Sequence, residues 1–250
     1  MIRRVFLLLF VCGTFLCVQA SAQSVDDLIR KHLLARGGLE KIKAVKTLRL
    51  TTTLHTDDMK IPLVIQIKRP GLIRGDASVQ GVALVRAYDG ETAWQINPFE
   101  GVKEADKMTG SDADETIELG DIDGPLVDYK PKGNTVELIG KEDFEATPVY
   151  KLKVTLKNGN ERYIYLDANN FLELKEIARR KQDGKTTDVE TVYSNYKPVG
   201  GLMIAHAWEA RSNGELEEQI TIDKIEINPV IDDFIFKMPG KTAEKKPSGR

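Results

Sequence analysis

From Thr47 onward the sequence alternates between short β-rich segments and tight-turn dipeptides, and this punctuation restricts the fold more than any other feature. Asp89-Gly90 and Asn158-Gly159 are strong hairpin signals, because both residue pairs tolerate the positive φ angles of tight two-residue turns. Asp57-Asp58, Arg69-Pro70-Gly71, Gln80-Gly81, Asp183-Gly184, Gly200-Gly201 and Asn213-Gly214 divide the rest. Between them lie segments of β composition at 47–56, 61–67, 72–79, 82–88, 92–96, 135–141, 149–156, 161–166, 172–180, 186–196, 202–211 and 216–228. Ile61, Leu63, Ile65 and Ile67 alternate on one face of their segment. In the last, the apolar phase slips between Ile220/Ile222 and Ile225/Ile227, which predicts a β-bulge near Asp223-Lys224. Phe234 and Phe236 suggest one more short extended piece.

Short connections make sequence neighbours pair, so the expected fold is mainly β, an antiparallel meander of eleven or twelve strands. A sheet that wide curls or splits. Tyr163-Ile164-Tyr165-Leu166 is apolar on both faces, so both faces are covered. A curled sheet with a covered inner face is a barrel or an unclosed half-barrel. Two helical stretches precede it, at 25–35 with apolar residues on one face, and at 39–45.

One long break interrupts the meander, after a loop-like stretch at 97–110. Residues 111–132 read SDADETIELGDIDGPLVDYKPK. Acids at its start suit a helix N-terminus. Ile117, Leu119, Ile122, Leu126, Val127 and Tyr129 supply apolar groups around Gly120, Gly124 and Pro125. The expectation is two short helical pieces with a kink, covering whatever the sheet encloses.

The first residues are a secretory leader: Arg3 and Arg4, an apolar run, and Ala20-Ser21-Ala22, with cutting between Ala22 and Gln23. The run is too short to span a membrane. The layout is thus a signal peptide at 1–22, one domain at 23–240 and a disordered polar tail at 241–250. Cys12 and Cys17, the chain's two cysteines, leave with the leader, and neither follows the small residues of a lipoprotein site. The mature chain therefore has no disulfide and no cysteine metal site. Removing two arginines moves the formal net charge from −2 to −4, a mild acidic balance that argues against nucleic acid as a partner.

No catalytic constellation stands out. His32, His55 and His206 are the three histidines and fall on separate elements. There is no glycine-flanked serine, phosphate loop or paired-histidine zinc motif. His55 beside Asp57-Asp58 reads as a solvated turn, and His206 as a strand residue. Asp112, Asp114, Glu115, Asp121 and Asp123 lack calcium-loop spacing and read as a solvated helix face. No metal, cofactor or enzymatic activity is expected. Trp94, Phe99, Tyr129, Phe144 and Trp208 belong either to ordinary core or, as a group, to an apolar pocket.

Several stretches in order resemble the bacterial outer-membrane lipoprotein-sorting proteins, the LolA-like and LolB-like group. They are HLLARGGLEKIKAVKTLRL, YDGETAW with Asn97-Pro98, YIYLD, SNYKPVGGLMI, and the closing register of Asn228, Phe234, Phe236 and Pro239. The resemblance implies a half-barrel of about eleven strands, its concave apolar face lidded by helices, that carries acyl chains of lipoproteins or lipids across the periplasm. Arg49, Arg74 and Arg86 are all eligible to hold the lid, and none is assigned. The implied ligand wall and lid comprise Leu63, Ile65, Trp94, Phe99, Ile117, Leu119, Ile122, Leu126, Val127, Tyr129 and Trp208, with Gly120, Gly124 and Pro125 as hinges. A monomer with possible envelope partner proteins is expected. The competing reading is a non-catalytic structural or adaptor domain of the envelope.

Overall fold

The chain was analysed as a computed structural model, which describes residues 24–56, 59–182 and 185–240. The expected leader with its cleavage site and the two cysteines, the expected turn positions Asp57, Asp58, Asp183 and Gly184, and the tail from 241 lie outside the described residues.

Helix α1 (Val25–Ala35) begins where Ser24 Oγ accepts the Asp27 amide, with Asp26 and Asp27 against the positive end of the helix. A second short helix, α2 (Leu39–Ala44), follows directly. Then come β1 (Thr47–His55), β2 (Lys60–Lys68), β3 (Leu72–Val79), β4 (Val82–Tyr88), β5 (Ala93–Asn97) and β6 (Val102–Lys107). After α3 (Gly110–Leu119) and a run of turns, β7 (Thr135–Phe144), β8 (Thr147–Thr155), β9 (Glu161–Asp167), β10 (Glu173–Gln182) and β11 (Lys185–Ser194) form a second meander. A small hairpin of β12 (Lys197–Val199) and β13 (Leu202–Ile204) leads to β14 (Ala207–Ser212) and β15 (Glu215–Ile227).

All but β12 and β13 join one antiparallel sheet of thirteen strands, in the order β6-β5-β4-β3-β2-β1-β15-β14-β11-β10-β9-β8-β7. It curves without closing. The meander expectation holds within each arm, and β1 pairing with β15 welds the arms together. Asn228, at positive φ, fastens that seam: its side chain accepts from the Lys46 and Thr47 amides and donates to the Ala44 carbonyl. The bulge falls where the phase slip predicts, since Thr51 faces Lys224 and Thr52 faces Ile222, leaving Asp223 extra.

Five details differ from the sequence reading. The sheet has thirteen strands rather than eleven or twelve. Stretch 97–110 is not loop but a 3-10 turn (Pro98–Glu100) and edge strand β6, in which Ala105 alone is buried. An edge strand facing solvent has no apolar alternation to read. Stretch 111–132 holds one helix, not two, because Gly120 to Gly133 is turns. Phe234 and Phe236 lie in a 3-10 turn (Asp233–Phe236), started by the Asp232 carboxylate accepting the Phe234 amide. The segment 202–211 is split between β13 and β14. A sixth feature left no sequence signal: the β7–β8 hairpin turns at Glu145 and Ala146, both at positive φ without glycine or asparagine.

Helix α1 packs on the inner face of β7–β9, where Leu28 and Ile29 meet Leu152, Val154, Ile164 and Leu166. His32 is buried there, with Nδ1 on the Phe171 carbonyl. The α1 C-terminus lies against the β12–β13 hairpin so closely that a Cβ on Gly37 would stand 2.3 Å from the Gly201 carbonyl oxygen.

Two outcomes follow. Leu152→Ala should cost about 2–5 kcal/mol in urea unfolding, whereas Leu119→Ala, on a half-exposed side chain, should cost less than about 0.5 kcal/mol. Burial, with Arg36 nearby, holds His32 down to about 4. The unfolded chain takes up this proton near pH 6.5 and the folded one resists it, so stability falls as pH drops through that interval. The component is up to about 3 kcal/mol and should vanish from the pH profile of His32→Gln.

Candidate functional site

The strand register fixes which side chains line the trough. Ile164 faces Leu152 on one side and Glu176 on the other, and Glu176 faces Thr191. Tyr193 pairs with Trp208, Trp208 with Ile220, Ile220 with Leu54, and Leu54 with Ile61. Leu63 and Ile65 share the face of Ile61, and the row continues from Ile65 through Gly75 to Arg86. Leu63, Ile65 and Trp208 are thus half-buried wall residues.

Trp94 is not. It pairs with Ala87, which pairs with Arg74, which pairs with Gln66, on the opposite face from Ile65. There it is fully buried beneath the C-terminal segment, with Nε1 donating 2.8 Å to the Phe236 carbonyl. Phe99 is also outside the trough, 60% exposed on the 3-10 turn before β6. Phe144 packs under the Lys175 ammonium, 4.4 Å from its ring centre.

The break in the meander is the link between β6 and β7, the two edges of the sheet. It crosses the open side, with α3 touching β3, β4 and β5 on one arm and β10 on the other. Leu126 and Val127 are buried, Leu126 in the α1 core and Val127 in a second core with Ile42, Val45 and Leu202. Ile122 packs against that second core, and Tyr129 packs against the first while donating to Asp26. Ile117 and Leu119 stay 40% and 54% exposed.

Charge holds the crossing segment to both arms. Glu115 meets Arg86 of β4 at 3.3 Å. Glu118 accepts from Arg162 of β9 and from Asn158 and Asn160. Asp123 takes both terminal nitrogens of Arg69 at 2.5 and 2.6 Å, while the same guanidinium donates to the Ile42 and Val45 carbonyls. Arg36 donates to the Asp123 carbonyl at 2.9 Å. Burial pushes Glu118 and Asp123 up. Arg162 with the two asparagines, and Arg69 with Lys132 and Arg36, more than offset this and hold both acids below the ordinary carboxylate range. Of the three eligible arginines, Arg86 touches the lid. Arg74 pairs with Asp76 on the outer face, and Arg49 pairs with Glu226. The solvated-face reading is corrected for Glu115, Asp121 and Asp123, which form ion pairs, while Asp112 and Asp114 are exposed on α3. Arg69 had registered only as a turn residue, and Arg162 had no sequence signal at all.

Gly120 and Gly124 meet different constraints. A Cβ on Gly120 would stand 2.3 Å from the Gly71 carbonyl oxygen, so glycine is required for the lid to seat on the β2–β3 turn. Gly124 has φ +78.

Beneath the lid lies a cavity of about 730 Å3. Leu72, Ile117, Leu119, Pro125 and Leu156 form its apolar side. Its inner end is polar: Arg162 bridges Glu118 and Glu176, and Tyr193 borders them. Behind Glu176, burial and the Glu176 charge push the Glu173 carboxyl up to about 8 against the pull of Arg36 and Arg162. Among the described residues no group of three or more metal-ligating side chains converges, and no helix is long and apolar enough to cross a membrane. His55 bonds Thr221, and His206 bonds the Ile204 carbonyl.

No family model matches the chain, and no curated protein matches it. Solved structures do. A LolA superfamily protein from Nitrosomonas europaea is 14% identical over 80% of this chain and 95% of that one, with a TM-score of 0.54. A DUF1329 family protein from Desulfovibrio piger is 14% identical over 86% and 98%, with a TM-score of 0.58. A proposed outer-membrane lipoprotein-sorting domain from Vibrio parahaemolyticus is 13% identical over 79% and 93%, with a TM-score of 0.52. The chain thus has the fold of LolA superfamily proteins.

Arg69→Gln leaves a buried carboxylate without its guanidinium, a loss on the order of 3 kcal/mol. Hydrogen exchange should accelerate across 120–128 and stay slow in β8 and β9. In wild type the clamp is present at neutral pH and is lost as pH falls through the depressed range of Asp123 and Glu118, so the protection of the same amides, relative to their intrinsic exchange rates, should fall on acidification below the ordinary carboxylate range.

Proposed function

We propose that this protein is a periplasmic carrier that shelters acyl chains of a lipoprotein or lipid and moves them between membranes of the envelope. One observation carries the reading: an open sheet is covered across its concave side by a segment of its own chain, which is anchored by packing at Leu126 and Val127 and clasped by ion pairs along α3. Moving a chain out of a bilayer costs about 0.8 kcal/mol per methylene unless protein surface replaces the lipid. Apolar surface that receives such a chain cannot stand open in water without inviting aggregation. A cover whose α3 end is fastened by ion pairs meets both needs, because that end closes the wall when empty and can release while Leu126 and Val127 stay in their cores. The fold shared with LolA superfamily proteins supports this role, and so does the leader that the sequence at 1–22 leads us to expect. The reading is non-enzymatic and needs no cofactor.

Within this reading the lid residues divide by where they sit. Leu126 and Val127 belong to the packed cores and anchor the segment. Ile117 and Leu119, half-exposed at the cavity, are the side chains that touch cargo. Ile122 lies between these two roles.

The test is lipid content and exchange. Mature protein purified from the envelope without detergent should release lipid on organic extraction and bind a neutral fluorescent acyl ester. If no lipid co-purifies and no probe binds, the carrier reading fails and an adaptor role with a protein partner takes its place. Leu119→Asp should weaken probe binding by about tenfold or more while changing the free energy of urea unfolding by less than about 0.5 kcal/mol.

A further inference from the structure

One end of the molecule, where α1 and α2 meet the close of β15, presents apolar side chains to water among lysines. Leu34, in the last turn of α1, is 60% exposed, Leu39 at the start of α2 is exposed, and Val230 is 97% exposed. Contacts join them into one surface. The Gly37 amide donates to the Leu34 carbonyl, Gly37 abuts Gly201, and a Cβ on Gly201 would stand 3.0 Å from the Lys41 Nζ. Farther along, Asn228 accepts the Lys46 amide and donates to the Ala44 carbonyl. The Thr47 hydroxyl donates to the carbonyl of Pro229, beside Val230.

The charge of this end differs from that of the chain as a whole. Residues 24–46 hold six basic and three acidic side chains, within a sequence of formal net charge −2. Two of the three acids lie in the first turn of α1, at the far end of that helix: Asp26 meets Tyr129 and Lys130, and Asp27 meets Arg30 and Lys31. That leaves Glu40 among Lys41, Lys43 and Lys46, all exposed. Lys43 reaches Asp128, whereas among the described residues Lys41 and Lys46 form no ion pair. Near Val230, Asp233 is paired with Lys68, and Asp232 caps the 3-10 turn. The same surface adjoins the cavity. Arg69, which donates to the Ile42 and Val45 carbonyls at α2, is followed by Pro70 and Gly71 of the cavity lining.

We infer that this end is a docking face for a bilayer surface that contains anionic phospholipid. Leu34, Leu39 and Val230 enter the head-group layer, and Lys41, Lys43 and Lys46 lie among the phosphates. Burial of apolar side chains and attraction of lysines to anionic lipid together hold a protein in the interface plane. A protein partner fits the surface less well, because lysine is depleted from protein–protein interfaces. Docking here brings the cavity beside the bilayer. That last consequence rests on the carrier reading, whereas the docking itself does not.

The experiment is flotation of the mature protein with two sets of vesicles, phosphatidylcholine alone and phosphatidylcholine with one-third phosphatidylglycerol, at low and high salt. Partitioning onto the anionic vesicles should be at least about tenfold stronger, and high salt should remove most of that difference. Lys41→Gln combined with Lys46→Gln should lower it by about tenfold or more. Leu34→Ser should lower it about fivefold on both vesicles. These variants should keep the wild-type urea transition, since all three side chains are exposed. Leu119→Asp, at the cavity, should leave partitioning unchanged. If both vesicles bind equally, if neither binds, if the lysine variant partitions like wild type, or if Leu119→Asp abolishes partitioning, the inference falls. It falls too if sedimentation shows a dimer that Leu34→Ser dissociates, because the face then joins two copies of the chain. The carrier reading is judged separately, by lipid content and acyl-ester binding without vesicles. The wild-type comparison of the two vesicles decides even should a variant fail to fold.

Discussion

An antiparallel sheet whose two edge strands are joined consecutively must send its chain across its own open side. That constraint shapes the rest of this molecule. Because β1 pairs with β15, the ends of the domain are sewn together at the centre of the sheet, and the middle of the chain is left to bridge β6 and β7. The bridge has to run over the concave face. What remains open to evolution is how firmly it is held, and here the answer is mixed: a buried anchor at Leu126 and Val127, then arginine clasps ahead of it on either arm.

The mixture has an energetic logic. Buried apolar contacts are additive and hard to release one at a time, whereas a partly buried ion pair can exchange its partner for water at lower cost, provided no charge is stranded. Arg162 meets that condition. When Glu118 leaves, Glu176 of the wall still compensates the guanidinium. Arg86 is placed similarly, with Glu218 near enough to Glu115 that their repulsion adds to burial in raising the Glu218 carboxyl. The wall thus keeps its own counter-ions for the arginines that the lid borrows.

Sequence made most of this architecture legible, and the failures have physical causes. Turn dipeptides and alternation located the strands because glycine, asparagine and aspartate suit the left-handed region, and one buried face demands a period of two. The method failed where those causes were absent: at β6, whose side chains mostly meet water, and at Glu145-Ala146, where ordinary residues take positive φ. For the site, the apolar lid residues could be read from composition, but their division between core anchor and cavity lining could not, because that depends on which arm each one reaches. Trp94 was misassigned because an aromatic on a strand says nothing about which face it occupies until the register is known. Arg69 and Arg162 were invisible for a related reason, since their partners lie 54 and 44 residues away in the chain.

The crossing segment also limits the shape of the sheet it covers. It is tied to β4 at Arg86 and to β9 at Arg162, so α3 spans the two arms as a fixed-length strut. A strut between the arms of an open curve sets the gap between them. The two free edges of the sheet can then spread only as far as this one link allows. Cover and calliper are the same piece of chain, and the width of the trough is gauged by the length of α3 and the turns that follow it.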